Sequence, residues 1–97
     1  MDRETFDNLW RKHHEAEFLK HQHSMKMVST NRPDLRAMIL LDQLVPGTVD
    51  ILSSASHDEV WFEIEPDALA AVITEEQIIE LIRCGVRYDE DSLCMFV

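Results

Sequence analysis

Residues 59–86 read EVWFEIEPDALAAVITEEQIIELIRCGV, and within them a two-residue period gives way to a helical one. Val60, Phe62 and Ile64 alternate with Glu59, Trp61, Glu63 and Glu65. Side chains on a strand point to opposite faces at successive residues. The spacing therefore predicts a strand with Val60, Phe62 and Ile64 on the core and Trp61 on the other face, among carboxylates. Two outcomes are open for Trp61. Either a neighbouring helix or strand covers it, as large aromatics are well buried on average, or it is an aromatic anchor for a partner.

Pro66 ends the strand and suits the first turn of a helix, with Asp67 at the positive end of the helix dipole. Leu69, Val72 and Ile73 follow at helical spacing. Thr74-Glu75-Glu76-Gln77 has the form of a capping box, so the helix should break near Thr74 and restart. Ile78, Ile79, Leu81 and Ile82 give the second helix its apolar stripe, with Glu75, Glu76 and Glu80 expected on its wet side. Gly85 is placed to end it in a left-handed turn, with Val86 folding back onto Leu81.

Outward from this stretch, residues 49–53 read as a first strand, and residues 54–58 as a five-residue loop before the strand at 59–64. The loop holds Ser56, His57 and Asp58 beside Ser53, but lacks the glycines of a nucleophile elbow and carries no catalytic reading. Beyond Gly85, residues 86–88 form a short strand and Asp89, Glu90 and Asp91 a turn. Residues 93–97 are nearly all apolar, as in a strand buried on both faces, and are placed beside 59–64. In a free chain end, Met95-Phe96-Val97 is the kind of segment a carboxyl-terminus-reading partner captures, but the cost of exposing it favours the core.

Residues 2–28 are predicted as one helix, N-capped by Asp2. Its apolar stripe (Phe6, Leu9, Trp10, Phe18, Met25, Met27) is thin, so residues 1–30 are expected to be half exposed or to pack on a partner. His14, Glu17 and His21 fall on one face of that helix and are weak candidates for Zn²⁺ or Ni²⁺ ligation, and the four histidines His13, His14, His21 and His23 together for a pH response. Position 18 is Phe18, where a zincin motif beginning at His14 needs histidine. Solvated helix histidines are the simpler account. Pro33 starts a second helix, with Leu35, Met38, Ile39, Leu41 and Val45 on a broad apolar face, stopped by Pro46-Gly47. The architecture expected is α+β: two N-terminal helices, a small mainly antiparallel sheet made of a hairpin plus a C-terminal strand, and a broken helix pair packed on it.

Ninety-seven residues, 45% hydrophobic, make one domain, 1–97, large enough to bury roughly two-thirds of its unfolded surface. The first residues are charged and lack the apolar core of a signal peptide, and no apolar run reaches membrane-spanning length. Cys84 and Cys94 form no CxxC pair and are expected as reduced core residues in a cytoplasmic protein. The net charge is −10, and all of it belongs to residues 49–97, where Arg83 and Arg87 face twelve acids. Such a surface repels nucleic acid and anionic lipid and favours basic partners.

With no catalytic motif, the residues lead to a non-enzymatic acidic protein-binding module, with no cofactor expected. Its expected binding residues are Trp61 and a row of carboxylates: Glu59, Glu63 and Glu65, extended by Glu75, Glu76, Glu80 and Asp89, Glu90, Asp91. Strand residues two apart are separated by about 6.6 Å, and duplex DNA presents one charge per ~1.7 Å. Such a row is a DNA mimic in outline. In size, charge asymmetry and the acidic EVWFEIE and TEEQIIE segments, the chain resembles small phage-encoded inhibitors of the anti-CRISPR, anti-defence and host-takeover kind. That resemblance implies stoichiometric binding that occludes the nucleic-acid site of a host protein. Two alternatives stand beside it. A homo-oligomeric adaptor would pack its neutral first helix on another copy, and a histidine-based regulator would answer to metal or pH.

Overall fold

The computed structural model describes residues 1–47 and 49–97 and has an α+β architecture. The order is α1 (Arg3–Glu17), a 3-10 turn (His21–His23), α2 (Pro33–Leu44), β1 (Leu52–Ser56), β2 (Glu59–Phe62), α3 (Pro66–Val72), α4 (Glu75–Arg83), β3 (Val86–Asp89) and β4 (Ser92–Phe96). The four strands form one antiparallel sheet in the order β1-β2-β4-β3.

The break between α3 and α4 follows the expected chemistry. Pro66 opens α3 at its first turn. The Thr74 hydroxyl accepts the Gln77 N–H at 3.2 Å, and the Gln77 side chain accepts the Thr74 N–H at 2.9 Å, which is a complete capping box. Ile78, Leu81 and Ile82 are buried by α4, while Ile79 is only half-buried. Gly85 ends the helix at φ +102°, and a Cβ there would stand 3.0 Å from Leu19 Cδ2. The left-handed backbone favours glycine here, and the tip of Leu19 would have to shift slightly to admit a Cβ.

Val60, Phe62 and Ile64 do face the core, which they share with Leu93, Met95 and Val86 from the sheet and Leu69, Ile73, Ile78, Leu81 and Ile82 from the helices. The C-terminal strand lies beside β2 as expected, with Val60 opposite Met95 and Trp61 opposite Cys94. Only Leu93, Cys94 and Met95 are buried, however; Phe96 and Val97 are exposed. The predicted five-residue loop is also corrected. β1 runs three residues later than expected, and the hairpin closes through His57-Asp58 alone, with Ser56 opposite Glu59. His57 takes a left-handed φ of 56° to close it, a conformation histidine tolerates better than branched residues do.

The predicted helix over 2–28 ends at Glu17. Asp2 caps it by accepting the Thr5 N–H at 2.8 Å, and that bond holds the Asp2 carboxyl below its usual range. Leu19 then turns left-handed (φ 61°), and its N–H bonds the Ile82 carbonyl at 3.2 Å. Residues 18–32 continue as a strap with one 3-10 turn, because their polar side chains give a helix no apolar stripe while α4 offers partners for their backbone. Arg83 pairs with Glu17 at 2.6 Å and donates to the His23 carbonyl at 2.8 Å.

α1 itself is docked rather than detached. Phe6 and Trp10 are buried, with the Tyr88 ring edge-on to both at centroid distances of 5.2 and 5.8 Å. In α2 the buried face is Arg36, Ala37, Leu40 and Leu41, so Leu35, expected inside, is exposed. The Arg36 guanidinium is buried because its Nε donates to the Thr30 carbonyl at 3.1 Å.

Candidate functional site

Buried apolar side chains from all four helices join one core with Val60, Phe62, Val86, Leu93 and Met95 of the sheet. The strand register shows what the opposite side carries. One row across the sheet is Ser54, Trp61, Cys94 and Arg87, and the next is Ser56, Glu59 and Phe96. Trp61, Cys94 and Phe96 lie outside the hydrophobic core and outside the residues packed against it. Trp61 is half-buried and Phe96 is 52% exposed. Trp61 therefore sits on an outer face that the helices do not cover. Its neighbours in the row give it partial shelter, and Cys94 is buried between Trp61 and Arg87.

The outer face is organised by one cation. Arg87 ion-pairs with Glu59, and its guanidinium carbon stands 4.2 Å from the centroid of the Phe96 ring. A charge shared between a carboxylate and an aromatic face is already neutralised and desolvated. Glu59 is thus engaged within the chain. Glu63, two residues beyond Trp61, and Asp89, opposite Ser92, point from the same face at its far end. Among the described residues, Glu63, Glu65, Glu76, Asp89 and Glu90 are exposed and their side chains make no hydrogen bond or ion pair.

The expected carboxylate row does not assemble as one line. Glu80, expected on the wet side of α4, is fully buried and bonds the strap. Its position allowed either face; the strap's donors decided the matter. Glu75 pairs with His13 on α1 at 2.8 Å, which holds the Glu75 carboxyl below its usual range. Glu75 and Glu76 belong to the helical layer, away from the outer face of the sheet. Asp91 bonds the Arg3 guanidinium, which also pairs with Asp7 and Asp67.

Asp89, Glu90 and Asp91 instead rim a cleft of about 550 Å³ between α1 and the β3–β4 hairpin, facing Asp7, Arg11, His14 and Glu15. The turn holds Glu90 and Asp91 at φ 49° and 64°, the two left-handed positions of a tight hairpin. Tyr88, in the cleft wall, is pushed up to about 12, chiefly by burial, so its hydroxyl keeps its proton at neutral pH. The cleft is acidic in balance, with Asp7, Glu15, Asp89, Glu90 and Asp91 against Arg11 and Arg87, and Arg3 from outside it pairs with Asp7 and Asp91.

The histidine candidates are dispersed. His14 stacks on Phe18 with centroids 4.8 Å apart, Glu17 is taken by Arg83, and His21 stands exposed in the 3-10 turn. Their common face required a helix that ends at Glu17. Among the described residues, no group of three His, Cys, Asp or Glu side chains is placed to hold a metal ion, and no helix is long and apolar enough to cross a membrane.

Sequence reasoning missed one surface. Met38, Ile39, Val45, Val49, Ile51 and Ile64 line a cleft of about 330 Å³ beside α2, together with Asp42 and Gly47. The signal was present in the second helix, whose apolar face is wider than a single core contact needs. The chain matches no protein-family model, no curated protein and no solved structure with which it was compared.

Proposed function

We propose that the chain is a non-enzymatic protein-binding module that docks a basic partner on the outer face of its sheet, around Trp61. The observation that carries this reading is a half-buried tryptophan and an exposed phenylalanine on a face without helices, where the single cation is already held by Glu59. Aromatic residues at the centre of a patch dominate binding energy. Unpaired carboxylates at its rim, Glu63 and Asp89, raise the on-rate for positive surfaces and disfavour negative ones. A nucleic-acid-binding protein is the partner class that fits, because the surface that holds phosphates is basic. Binding there would occlude the nucleic-acid site, as the build shared with small phage inhibitors implies.

The test is capture from nuclease-treated lysate by the immobilised wild-type chain, by Trp61→Ala and by a Glu63→Lys/Asp89→Lys double variant. The expected result is one basic nucleic-acid-binding protein in stoichiometric amount, displaced by added DNA or RNA and reduced at least tenfold by either variant. Retention indifferent to both variants would refute the site. Recovery of the bait alone, as a dimer or larger, would favour a homo-oligomeric adaptor.

A further inference from the structure

The two edges of the sheet are unlike. β3 carries Arg87 and Asp89, with Tyr88 packed on α1, and Val86 is buried. β1, at the other edge, reads LSSAS, and all five of its residues are exposed. It contains no lysine, no proline and no charge of any kind, the usual devices that blunt an edge. A bulge between Leu52 and Ser54 interrupts its pairing, leaving Ser54, Ala55 and Ser56 in regular register with Trp61, Val60 and Glu59.

Two backbone bonds fix which groups of β1 are open. The Glu63 N–H bonds the Ile51 carbonyl at 2.7 Å, and the Val97 N–H bonds the Asp58 carbonyl at 2.7 Å. In an antiparallel ladder, residues bonded to one neighbour alternate with residues bonded to the other. Asp58 and Val60 therefore bond toward β4. Ala55, opposite Val60, is a non-bonded pair with it, so the N–H and C=O of Ala55 point away from the sheet. By the same phase, across the bulge, those of Leu52 do too.

We infer that this edge takes a fifth strand: an extended, basic segment of the partner, pairing with Leu52–Ser56. The inference rests on the protein-binding reading and names its mode. Charge complementarity selects the occupant. The strand is neutral, but the exposed Asp58 stands at one end of it and the exposed Glu63 at the other. An added strand lies about 4.8 Å beyond β1. An arginine on its outer face would meet only Ser54 before the indole of Trp61, next in the same row. The small serine leaves that indole open to a cation from the side. A second copy is a poor fit, since each copy carries a net charge of −10 and antiparallel pairing would set the acidic ends of β1 against one another.

The probe is a capped seven-residue peptide alternating arginine with threonine and valine, titrated into the ¹⁵N-labelled full chain. Controls are the same peptide with alternate backbone nitrogens methylated and the same peptide with glutamate for arginine. The expected result is at least tenfold slower amide exchange at Ala55 and Leu52, with at least tenfold weaker binding of the methylated peptide. Ala55→Pro should remove this binding while keeping the dispersed spectrum of the fold, because the N–H it deletes is outside the ladder; if that variant unfolds, the methylated peptide carries the test. Shifts at Trp61, Glu63 and Asp89 without protection of β1 would overturn the fifth strand and leave the docking face standing. No response to the arginine peptide at millimolar concentration would overturn both. Equal binding of the glutamate peptide, or protection of β1 that grows with protein concentration alone, would overturn the basic occupant.

Discussion

Glu80 accepts the backbone N–H of Met25 at 2.9 Å, joining the middle of α4 to a residue 55 positions earlier. The same carboxylate accepts the Ser24 hydroxyl at 2.7 Å and the Met27 N–H at 3.4 Å. A fully buried carboxylate is tolerable only when donors surround it, and here the donors are the strap. Glu80→Ala leaves those donors unpaired, and a cost of about 2–3 kcal/mol follows. The melting temperature should fall by roughly 10–20 °C in a domain of this size. Glu76→Ala, on the exposed side of the same helix, should stay within about 0.5 kcal/mol of wild type. Equal melts for the two variants would show that the strap does not depend on Glu80.

The two tryptophans should respond in opposite ways to truncation. Trp10 is 2% exposed and packs on Phe6 and Tyr88. Trp10→Ala should cost about 3–5 kcal/mol in urea unfolding. Trp61 lies outside the core, and Trp61→Ala should cost about 1 kcal/mol or less while removing partner binding. A large loss of stability in the Trp61 variant would mean that the residue serves the fold and would argue against its role as an anchor.

The parts of the fold legible in the sequence are those where local chemistry and burial agree. Thr74 and Gln77 satisfy one another within four residues, and Val60, Phe62 and Ile64 carry a period with one reading. What was illegible depended on residues far apart in the chain. The end of α1 at Glu17 is secured by Arg83, and the burial of Glu80 by Ser24 and Met25. A helix-compatible polar stretch and a surface-compatible glutamate are both ambiguous until the partner segment arrives. The same holds at the candidate site. Alternation placed Trp61 opposite the core, but the engagement of Glu59 by Arg87 came from pairing across two strands.

Acid should weaken the contact between α1 and α4. The hydrogen bond from His13 holds the Glu75 carboxyl below its ordinary value of 4.5. A carboxyl lowered in the folded state contributes stability that is complete above its unfolded pKa and is lost as the pH falls through the folded one. Glu75→Gln should therefore be less stable than wild type at pH 6, and the gap should close toward pH 3. Glu75 is partly exposed, so the gap is small. Urea unfolding of both proteins at the two pH values measures it. A gap that widens on acidification would contradict the pairing.

Cysteine labelling reports on the outer face directly. Cys84 and Cys94 are both 2% exposed. The Cys84 thiol is pushed up to about 11, by burial first and by the nearby Glu80 second, and so stays protonated and inert at pH 8. Cys94 differs in its cover, which is the pair Trp61 and Arg87 rather than the core. In a Cys84→Ala background, native Cys94 should react with an aromatic disulfide reagent only at the rate of opening. Adding Trp61→Ala should speed that reaction at least tenfold without a matching loss of stability. Added Arg87→Ala should speed it too, and bound partner should slow it. A labelling rate unchanged by Trp61→Ala would place the cover of Cys94 elsewhere and remove the tryptophan from the centre of the docking face.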